Sequence, residues 1–426
     1  MAHTVLWVSF LVLMFLRCPI GFAMGISCLF YFLLAGRYPL MVIAHQMSAG
    51  ITSYTFLAVP FFVLAGTLLN RSGMTNRLFD FALSLVGSLR GGLCHVIIVA
   101  EIIMSGISGS ATADAAGLST ISIGTMVRKG YPRGFSAGVV ASSAVLGPII
   151  PPSILFVIYA VIAECSVGKL FLGGIFPGLV IAFFLMGLVY YTALKKNFPR
   201  EEKTNRHKIW AAFRRGFLAI FAPVVILGGI IIGAFTPTEA GAIAVAYSIL
   251  LGLVYREFHL RELPKILAES VNTTALLMFV ISTASVFGWI LVNERISDLM
   301  IEMLYSVSQN KWIIIILINL ILLFLGCFME TAATTLVTVP VFLPIISALG
   351  FDPVWFGVLF IINAEMGLLS PPFGMTLFWL KAVVPPEITM TDIYRSIWPF
   401  IIVQFICLVM VMYLPAIAMW LPSLVK

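Results

Sequence analysis

The stretch GPIIPPS at residues 147–153 recurs in similar form as GLLSPPFG at residues 367–374, and this pair is the strongest indication of the fold in the sequence. Each stretch lies inside a long apolar run and contains two adjacent prolines, which lack backbone N–H donors and leave carbonyl groups of the preceding turn unpaired. At membrane depth such carbonyl groups need protein, water or a ligand as a partner. The two stretches therefore predict two broken helices, each with unpaired backbone carbonyl groups that can bind a ligand.

The composition of the chain is that of a membrane protein. Of its 426 residues, 61% are hydrophobic and only 10% are charged, whereas about 25% of the residues of a soluble domain are charged. A hydrocarbon layer of about 30 Å needs about 20 apolar residues per helical crossing. The chain offers many such runs, which excludes a soluble enzyme. They occupy residues 3–17, 19–36, 54–70, 92–127, 133–163, 169–194, 214–235, 237–255, 272–293, 311–348, 353–384 and 396–425.

Charge and motif patterns exclude several other functions. The net charge is +7, but the basic residues stand in short clusters without interleaved aromatic residues, so we expect no nucleic-acid partner. The six cysteines stand singly and the five histidines are dispersed, so we expect core cysteines and no metal site beyond one for sodium. Neither a nucleophile elbow nor a phosphate-binding loop occurs, so we expect no enzyme activity, no cofactor and no direct use of ATP.

The chain contains an internal repeat on either side of a polar stretch. Five glycine and proline residues of the first half recur, each at an offset of 220 residues and without a gap: Gly106 and Gly326, Gly130 and Gly350, Gly147 and Gly367, Pro151 and Pro371, and Pro152 and Pro372. We therefore divide the chain into a first repeat at 1–194, a basic loop at 195–213 and a second repeat at 214–426. Each repeat contains a predicted helical hairpin, at 92–128 and 311–349, and a broken helix, at 133–163 and 353–384.

The two repeats are predicted to be inverted relative to each other. Each has about five crossings besides its re-entrant hairpin, and two similar halves with an odd number of crossings must have opposite orientations in the membrane. If the basic loop is cytoplasmic, most of the Lys and Arg residues fall on the same side, as the positive-inside rule requires. The fold class is thus an all-α polytopic membrane protein of two inverted repeats, with both termini on the outer face.

Three further segments mix charged residues with Leu, Ile and Phe at helical spacing. They occupy residues 38–49, 74–87 and 261–269. We interpret them as amphipathic helices that lie along the membrane interface, although helices that face a partner would have the same pattern.

The middle of each hairpin is rich in small and hydroxyl residues. The first reads SGISGSATAD at 105–114 and the second GCFMETAATT at 326–335. Carbonyl and hydroxyl oxygens suit Na⁺, and the positive N-terminal ends of the returning helices suit an anion. A sodium-coupled carrier for an organic anion follows as a hypothesis. The alternative is that the small residues only allow close packing and that each proline pair is only a kink.

Five acidic residues lie inside apolar runs, where an unpaired carboxylate costs at least about 2.5 kcal/mol. Asp114 and Glu330 stand at the hairpin tips and are candidates for coordinating or orienting an ion. Glu239 follows Pro237 at a helix start and is interpreted as a capping carboxylate. Glu101 and Glu365 have no role that the sequence assigns.

Several blocks together resemble one family. They are SGISGSATADAAGLSTI, KGYPRGFSAGVVASSAVLGPIIPPS, FTPTEAGAIAVAYS, ETAATTLVTVPVFLPI, GLLSPPFG and the opening PIGFAMG. This set resembles the large membrane subunit (DctM-type) of tripartite ATP-independent periplasmic (TRAP) transporters, essentially from end to end. The resemblance implies a bacterial inner-membrane symporter driven by Na⁺, with periplasmic termini in the orientation given above. It also implies an elevator mechanism, in which a transport domain of hairpins and broken helices slides against a scaffold.

The resemblance further implies partners and site residues. The partners would be a small four-helix membrane subunit, a periplasmic substrate-binding protein, a carboxylate solute and membrane lipid. Because no small-subunit sequence precedes Met1, that subunit is expected to be a separate chain. The first sodium site would involve Ser105, Ser108, Gly109, Gly147 and Pro148, and the second Gly326, Cys327, Thr331, Thr334, Gly367 and Ser370. The substrate cavity would involve Ser110, Thr112, Asp114 and Thr335.

Other readings of the sequence stay open at this point. A stand-alone divalent-anion:sodium symporter would share the inverted hairpins but would need no binding protein. A passive channel is disfavoured, because hairpins that enter from both sides suggest alternating access. A purely structural membrane anchor would tolerate loss of the hairpin hydroxyl groups. The identity of the solute and the sodium stoichiometry do not follow from the sequence.

Overall fold

The structure, a computed structural model, describes residues 2–16, 18–201 and 205–424, with every side chain except those at positions 2, 106–108, 113 and 297. Within these ranges the ordered elements are all helices. Those of the first half are α1 (Ala2–Phe15), α2 (Ile20–Ala35), α3 (Met41–Ile51), α4 (Ala58–Arg71), α5 (Met74–Val86), α6 (Gly92–Ser108), α7 (Ala111–Arg128), α8 (Arg133–Ala144), α9 (Leu146–Ile149), α10 (Ile154–Ile162) and α11 (Val167–Lys195).

The second half has a similar order of elements, with apolar helices, an amphipathic helix, a helix pair, a broken helix and a long helix. They are α12 (Arg206–Ile231), α13 (Pro237–Tyr255), α14 (Leu263–Asn293), α15 (Ile296–Val307), α16 (Lys311–Gly326), α17 (Thr331–Ala348), α18 (Pro353–Leu369), α19 (Met375–Val383), α20 (Met390–Tyr413) and α21 (Ala416–Ser423). Helices α6 and α7 correspond to the first predicted hairpin, and α16 and α17 to the second.

Membrane crossings are numerous, as the composition predicts. Over the described residues, seven helices are long and apolar enough to cross a membrane, or up to nine if each of two bent helix pairs is one span. One bend, of 46°, separates α8 and α9 from α10 at the first proline pair, and the other, of 116°, separates α15 from α16. The peptide bonds Pro151–Pro152 and Pro371–Pro372 are both cis. The chain is therefore a polytopic membrane protein with a broken helix where the sequence predicted one.

Contacts between helices are exchanged between the halves. Helix α2 packs against α14 of the second half, and α13 packs in the same way against α4 of the first. Helix α7 packs against α19, and α17 packs against α10. The second helix of each hairpin thus contacts the part of the other half's broken helix that follows its break.

Two boundaries differ from the sequence prediction, and one helix was not predicted. Helix α12 begins at Arg206, inside the predicted loop at 195–213, because Trp210, Phe213 and Phe217 recur at helical spacing and form a ladder of ring contacts. Residues 261–269 are not a separate amphipathic helix, since α14 runs without a break from Leu263. Helix α15 was not predicted, although Ile296, Met300 and Leu304 recur every four positions and pack on the core.

Two smaller predictions are confirmed. Glu239 closes a capping box at the start of α13, where its carboxylate accepts a hydrogen bond from the Thr236 backbone N–H at 2.7 Å and the Thr236 hydroxyl accepts one from the Glu239 N–H. All six cysteines are free thiols, and four of them are buried.

Candidate binding site between the two hairpin tips

A small cavity of about 80 Å³ lies where the two hairpin tips meet. A volume of this size holds a cation or a few water molecules. The cavity is lined from the first half by Gly109, Ser110, Ala111, Thr112, Pro148, Ile154, Leu155 and Ile158, from the second half by Glu330, Thr331, Ala332, Glu365 and Leu368, and by Leu277 of α14. Both tips and both broken helices therefore contribute to one site.

The first tip is held against its own broken helix by a glycine. Gly109 ends α6 with φ at +59°, a left-handed conformation that favours glycine. A Cβ atom at this position would lie 3.4 Å from both the Ile154 backbone nitrogen and the Pro152 carbonyl oxygen. Beyond it, the hydroxyl oxygens of Ser110 and Thr112 lie 3.2 Å apart. The turn thus presents two hydroxyl groups to the cavity beside the first break.

The second tip approaches its broken helix even more closely. A Cβ atom on Gly367 would lie only 2.8 Å from the Cα and carbonyl carbon of Gly326, and neither backbone can yield as a side chain could. Past this contact, α17 begins at Thr331, whose hydroxyl group lies next to the carboxyl group of Glu365. Glu365 is 1% exposed. Glu330, just before the helix, adds a second carboxyl group to the cavity wall.

Most of the predicted hydroxyl ligands donate their hydrogen to a helix carbonyl group. Such a hydroxyl oxygen keeps lone pairs that can face a cation. The donor to acceptor distances are 2.8 Å from Ser105 to Ile102, 3.1 Å from Thr334 to Glu330, 2.7 Å from Thr335 to Thr331 and 2.9 Å from Ser370 to Met366, and the Cys327 thiol donates to Leu323 at 3.2 Å.

A pair of buried carboxyl groups lies beside the first break. Glu101 on α6 and Asp114 on α7 face each other and are 0% and 1% exposed. A Cβ atom on Gly147 would lie 2.5 Å from Asp114 Oδ2 and 3.3 Å from Glu101 Oε1. Two buried carboxyl groups in contact need a proton or a cation between them. The pair places Glu101, to which the sequence assigned no role, beside the first break and not at the cavity wall.

Five of the predicted site residues lie at the cavity wall. They are Gly109, Ser110, Thr112, Pro148 and Thr331. The side chain of Ser108 lies outside the described residues.

Two predicted substrate residues stand apart from the cavity wall. Asp114 belongs to the carboxyl pair with Glu101, and the Thr335 hydroxyl points back to its own helix. Sequence reasoning missed Glu365 as a cavity residue. Its position two residues before the repeated Gly367, inside an apolar run, was the signal that pointed to it.

The family model described as "Tripartite ATP-independent periplasmic transporter, DctM component" matches residues 7–417. A sialic acid TRAP transporter large permease protein, SiaM from Vibrio cholerae, is 40% identical over 97% of this chain and 96% of its own length. A C4-dicarboxylate TRAP transporter large permease protein, DctM from Pseudomonas aeruginosa, is also 40% identical, over 87% and 86%. A 2,3-diketo-L-gulonate TRAP transporter large permease protein, YiaN from Escherichia coli, is 35% identical over 95% and 97%.

A solved structure shares the fold at much lower identity. The crystal structure of the Alcanivorax borkumensis YdaH transporter superposes with a TM-score of 0.61 at 12% sequence identity, and the match covers 88% of each chain. This likeness shows the fold alone. Because the family model matches nearly the whole chain and two relatives are 40% identical to it, the chain belongs to the large permease (DctM) component of the tripartite ATP-independent periplasmic transporters.

Proposed function

We propose that this permease carries an organic acid with a carboxylate group into the cell by sodium-coupled symport, after a periplasmic binding protein delivers the acid. One observation carries the proposal: a single cavity is lined by both hairpin tips and both broken helices. Secondary transporters with inverted repeats place substrate and coupling ions at such a meeting point. The exchanged contacts of α2 with α14 and of α13 with α4 support the inverted arrangement.

The chemistry around the cavity suits sodium. Na⁺ prefers oxygen ligands, and the Thr331 hydroxyl at the cavity wall, with the carbonyl groups freed by the proline pairs, supplies them. Two further hydroxyl groups do not line the cavity: Thr334 lies one turn further along α17, and Ser370 lies at the end of α18. The Gly109 and Gly326 contacts bring each tip against the break of its own half, which supports one cation at each tip. The Glu101 and Asp114 pair adds negative charge beside the first of these sites.

The same cavity suits an anion once it widens. Helices α7 and α17 both begin at the cavity wall, and their N-terminal ends carry partial positive charge and free backbone N–H groups. Glu330 and Glu365 repel a carboxylate unless cations screen them, which makes binding of the acid depend on sodium. Relatives named for sialic acid, C4-dicarboxylates and 2,3-diketo-L-gulonate support a carboxylate solute.

An elevator motion is the proposed transport step, with the small membrane subunit bound to the scaffold in the bacterial inner membrane. Two sharp corners stand at the same place in the order of elements: Gly73, with φ at +66°, joins α4 to α5, and Arg295, with φ at +52°, joins α14 to α15. Each corner is tied across the halves. Arg77 pairs with Glu257 at 2.8 Å, and Glu294 pairs with His3 at 3.1 Å. Ion pairs at both turns would hold α4–α5 and α14–α15 as rigid connections between a scaffold and a moving domain.

Uptake of labelled acids into proteoliposomes tests this function. We expect concentrative uptake only with an inward sodium gradient and the cognate binding protein. Thr331→Val is expected to raise the sodium concentration for half-maximal uptake about tenfold, because a ligand oxygen is lost. Thr120→Val is the control, since this exposed hydroxyl on α7 only donates to the Gly117 carbonyl at 2.8 Å. Uptake that persists without sodium would contradict the coupling, and uptake without the binding protein would favour a stand-alone symporter.

A further inference from the structure

A basic cavity of about 540 Å³ lies between α5 and the first turns of α12, away from the hairpin tips. It is lined by Arg77, Asp80, Leu83 and Ser84 from α5 and by His207, Lys208, Ala211, Ala212 and Arg215 from α12. Three basic side chains and one histidine thus face one aspartate. This surplus of positive charge makes the cavity a place for an anion, and the transport site does not account for it.

The two α12 cations that line the cavity form no ion pair with the described part of the chain. Among the described side chains, no ion pair within 4.0 Å involves Lys208 or Arg215, whereas Arg77 pairs with Glu257 and lies 4.0 Å over the ring centroid of Tyr255. Lys208 and Arg215 are exposed. Lys208 and Arg215 can therefore bind an anion together, beside Arg77, which is held by its ion pair with Glu257. A phosphate group suits this arrangement because it accepts several hydrogen bonds at once.

Helix α12 also carries an outward-facing aromatic ladder, on a different face from the residues that line the cavity. Trp210 stacks on Phe213 with ring centroids 5.5 Å apart, and Phe217 stacks on Phe221 at 5.6 Å. Trp210 is 64% exposed and Phe217 and Phe221 are 43% exposed each. Aromatic rings next to cations at the end of a spanning helix are typical of the membrane interface, where apolar tails meet headgroups.

The dimensions of α12 fit this arrangement. Residues 207–215 cover about 12 Å of helix, at about 1.5 Å per residue, and lie at the start of the candidate span Arg206–Ile231. The basic residues thus lie at headgroup depth, and the aromatic ladder continues from them into the hydrocarbon layer. A phosphate bound in the cavity would leave its acyl chains in the hydrocarbon layer that the rest of this span crosses.

We propose that this cavity binds the phosphate headgroup of an anionic phospholipid, with the acyl chains in the adjoining hydrocarbon layer. Basic pockets between membrane helices are suited to acidic headgroups, and each Lys or Arg near the headgroup strengthens binding about fivefold. The cavity lies where α5 packs closely on α12 at Gly216, whose Cβ position would be 3.7 Å from the Arg77 carbonyl oxygen. The inference holds whichever solute is carried.

Lipid retention tests the proposal. The full-length protein is reconstituted in nanodiscs of phosphatidylcholine mixed with phosphatidylglycerol, and the retained lipids are counted by native mass spectrometry. We expect phosphatidylglycerol to be enriched, and K208E/R215E to lose this enrichment at least tenfold. The control K195E/K196E makes the same charge change at two exposed residues outside the cavity and should retain it. If the reversed pair does not fold, K208Q/R215Q should lose about fivefold per charge.

A second arm distinguishes the lipid from a soluble phosphate. Inorganic phosphate is added to the delipidated protein in detergent, and thermal unfolding is followed. We expect phosphatidylglycerol to raise the unfolding temperature of the wild type but not of K208E/R215E, and inorganic phosphate to have no such effect. Equal retention of phosphatidylglycerol by K208E/R215E and K195E/K196E would overturn the proposal. Stabilisation by inorganic phosphate equal to that by the lipid would overturn it as well.

Discussion

The two hairpins share one backbone plan but differ in where their acids lie. The first carries Glu101 and Asp114 inside its helices, packed against Gly147. At the offset of 220 residues, the second hairpin has Ile321 and Thr334 at those places. Negative charge in the first half therefore lies behind the tip, at the broken helix.

The second half reverses this arrangement. Its acids, Glu330 and Glu365, line the cavity itself, where the first half has Ser110 and Val145 at the equivalent positions. A buried amide pair also distinguishes it, because Asn363 donates to the Oδ1 atom of Asn319 at 2.7 Å. The two halves thus share the glycines and prolines that shape the tips, while their acidic and amide side chains differ. Two cation sites of the same geometry would therefore differ in charge.

Asp114→Asn should have the largest effect on sodium dependence, because it removes a carboxylate that the second half lacks at the equivalent position. Removing a full charge beside the proposed first sodium site, in a medium of low dielectric constant, costs on the order of 1–3 kcal/mol. We expect the sodium concentration for half-maximal uptake to rise about 10- to 100-fold, with a smaller change in KM for the acid. Thr334→Val, at the equivalent place, removes only a hydroxyl group and should have an effect at least several times smaller. Equal effects of the two variants would mean that the halves do not differ in charge as proposed.

Gly367→Val should distinguish the halves by packing. The added side chain meets the Gly326 backbone, and overpacking of this kind costs about 3 kcal/mol. Gly109→Ala has more space, and its cost of about 1 kcal/mol comes from the left-handed backbone. Thermal unfolding should show the larger drop for Gly367→Val. Gly117→Ala is the control, because nothing lies within 4 Å of its Cβ position. A smaller drop for Gly367→Val than for Gly109→Ala would contradict the close contact of the second tip.

Thr236→Ala should have the smallest effect and mark the limit of the binding site. It removes the capping box of α13, which costs about 1 kcal/mol. The unfolding temperature should fall slightly while sodium dependence and KM for the acid stay unchanged. A shift in sodium dependence would mean that the outer end of α13 belongs to the site.

Much of this fold follows from sequence because its signals are local. The apolar runs and the proline pairs of the two breaks predicted a polytopic helical protein, and this is confirmed. Helices α6 with α7 and α16 with α17 lie within the two predicted hairpin ranges, and their re-entrant placement stays a prediction. The Thr236 capping box was also predictable, since its residues lie three positions apart.

The rest depends on contacts between distant segments. The Glu101 and Asp114 pair joins two helices of a hairpin, and no pattern within either helix indicates it. Glu365 reaches the cavity because the second break packs on Gly326. Helix α15 escaped prediction because its polar residues masked a four-residue apolar period. Sequence periodicity predicts a buried face but does not specify its partner.

The most direct test of the inverted arrangement uses the last residues of the two returning hairpin helices, Arg128 of α7 and Ala348 of α17. Each is replaced by cysteine in a background without the native cysteines, and a membrane-impermeant maleimide is applied to cells and to inside-out vesicles. We predict labelling of Arg128→Cys only in the vesicles and of Ala348→Cys only in the cells. Labelling of both from the same side would contradict two inverted halves and, with them, the shared site at the hairpin tips.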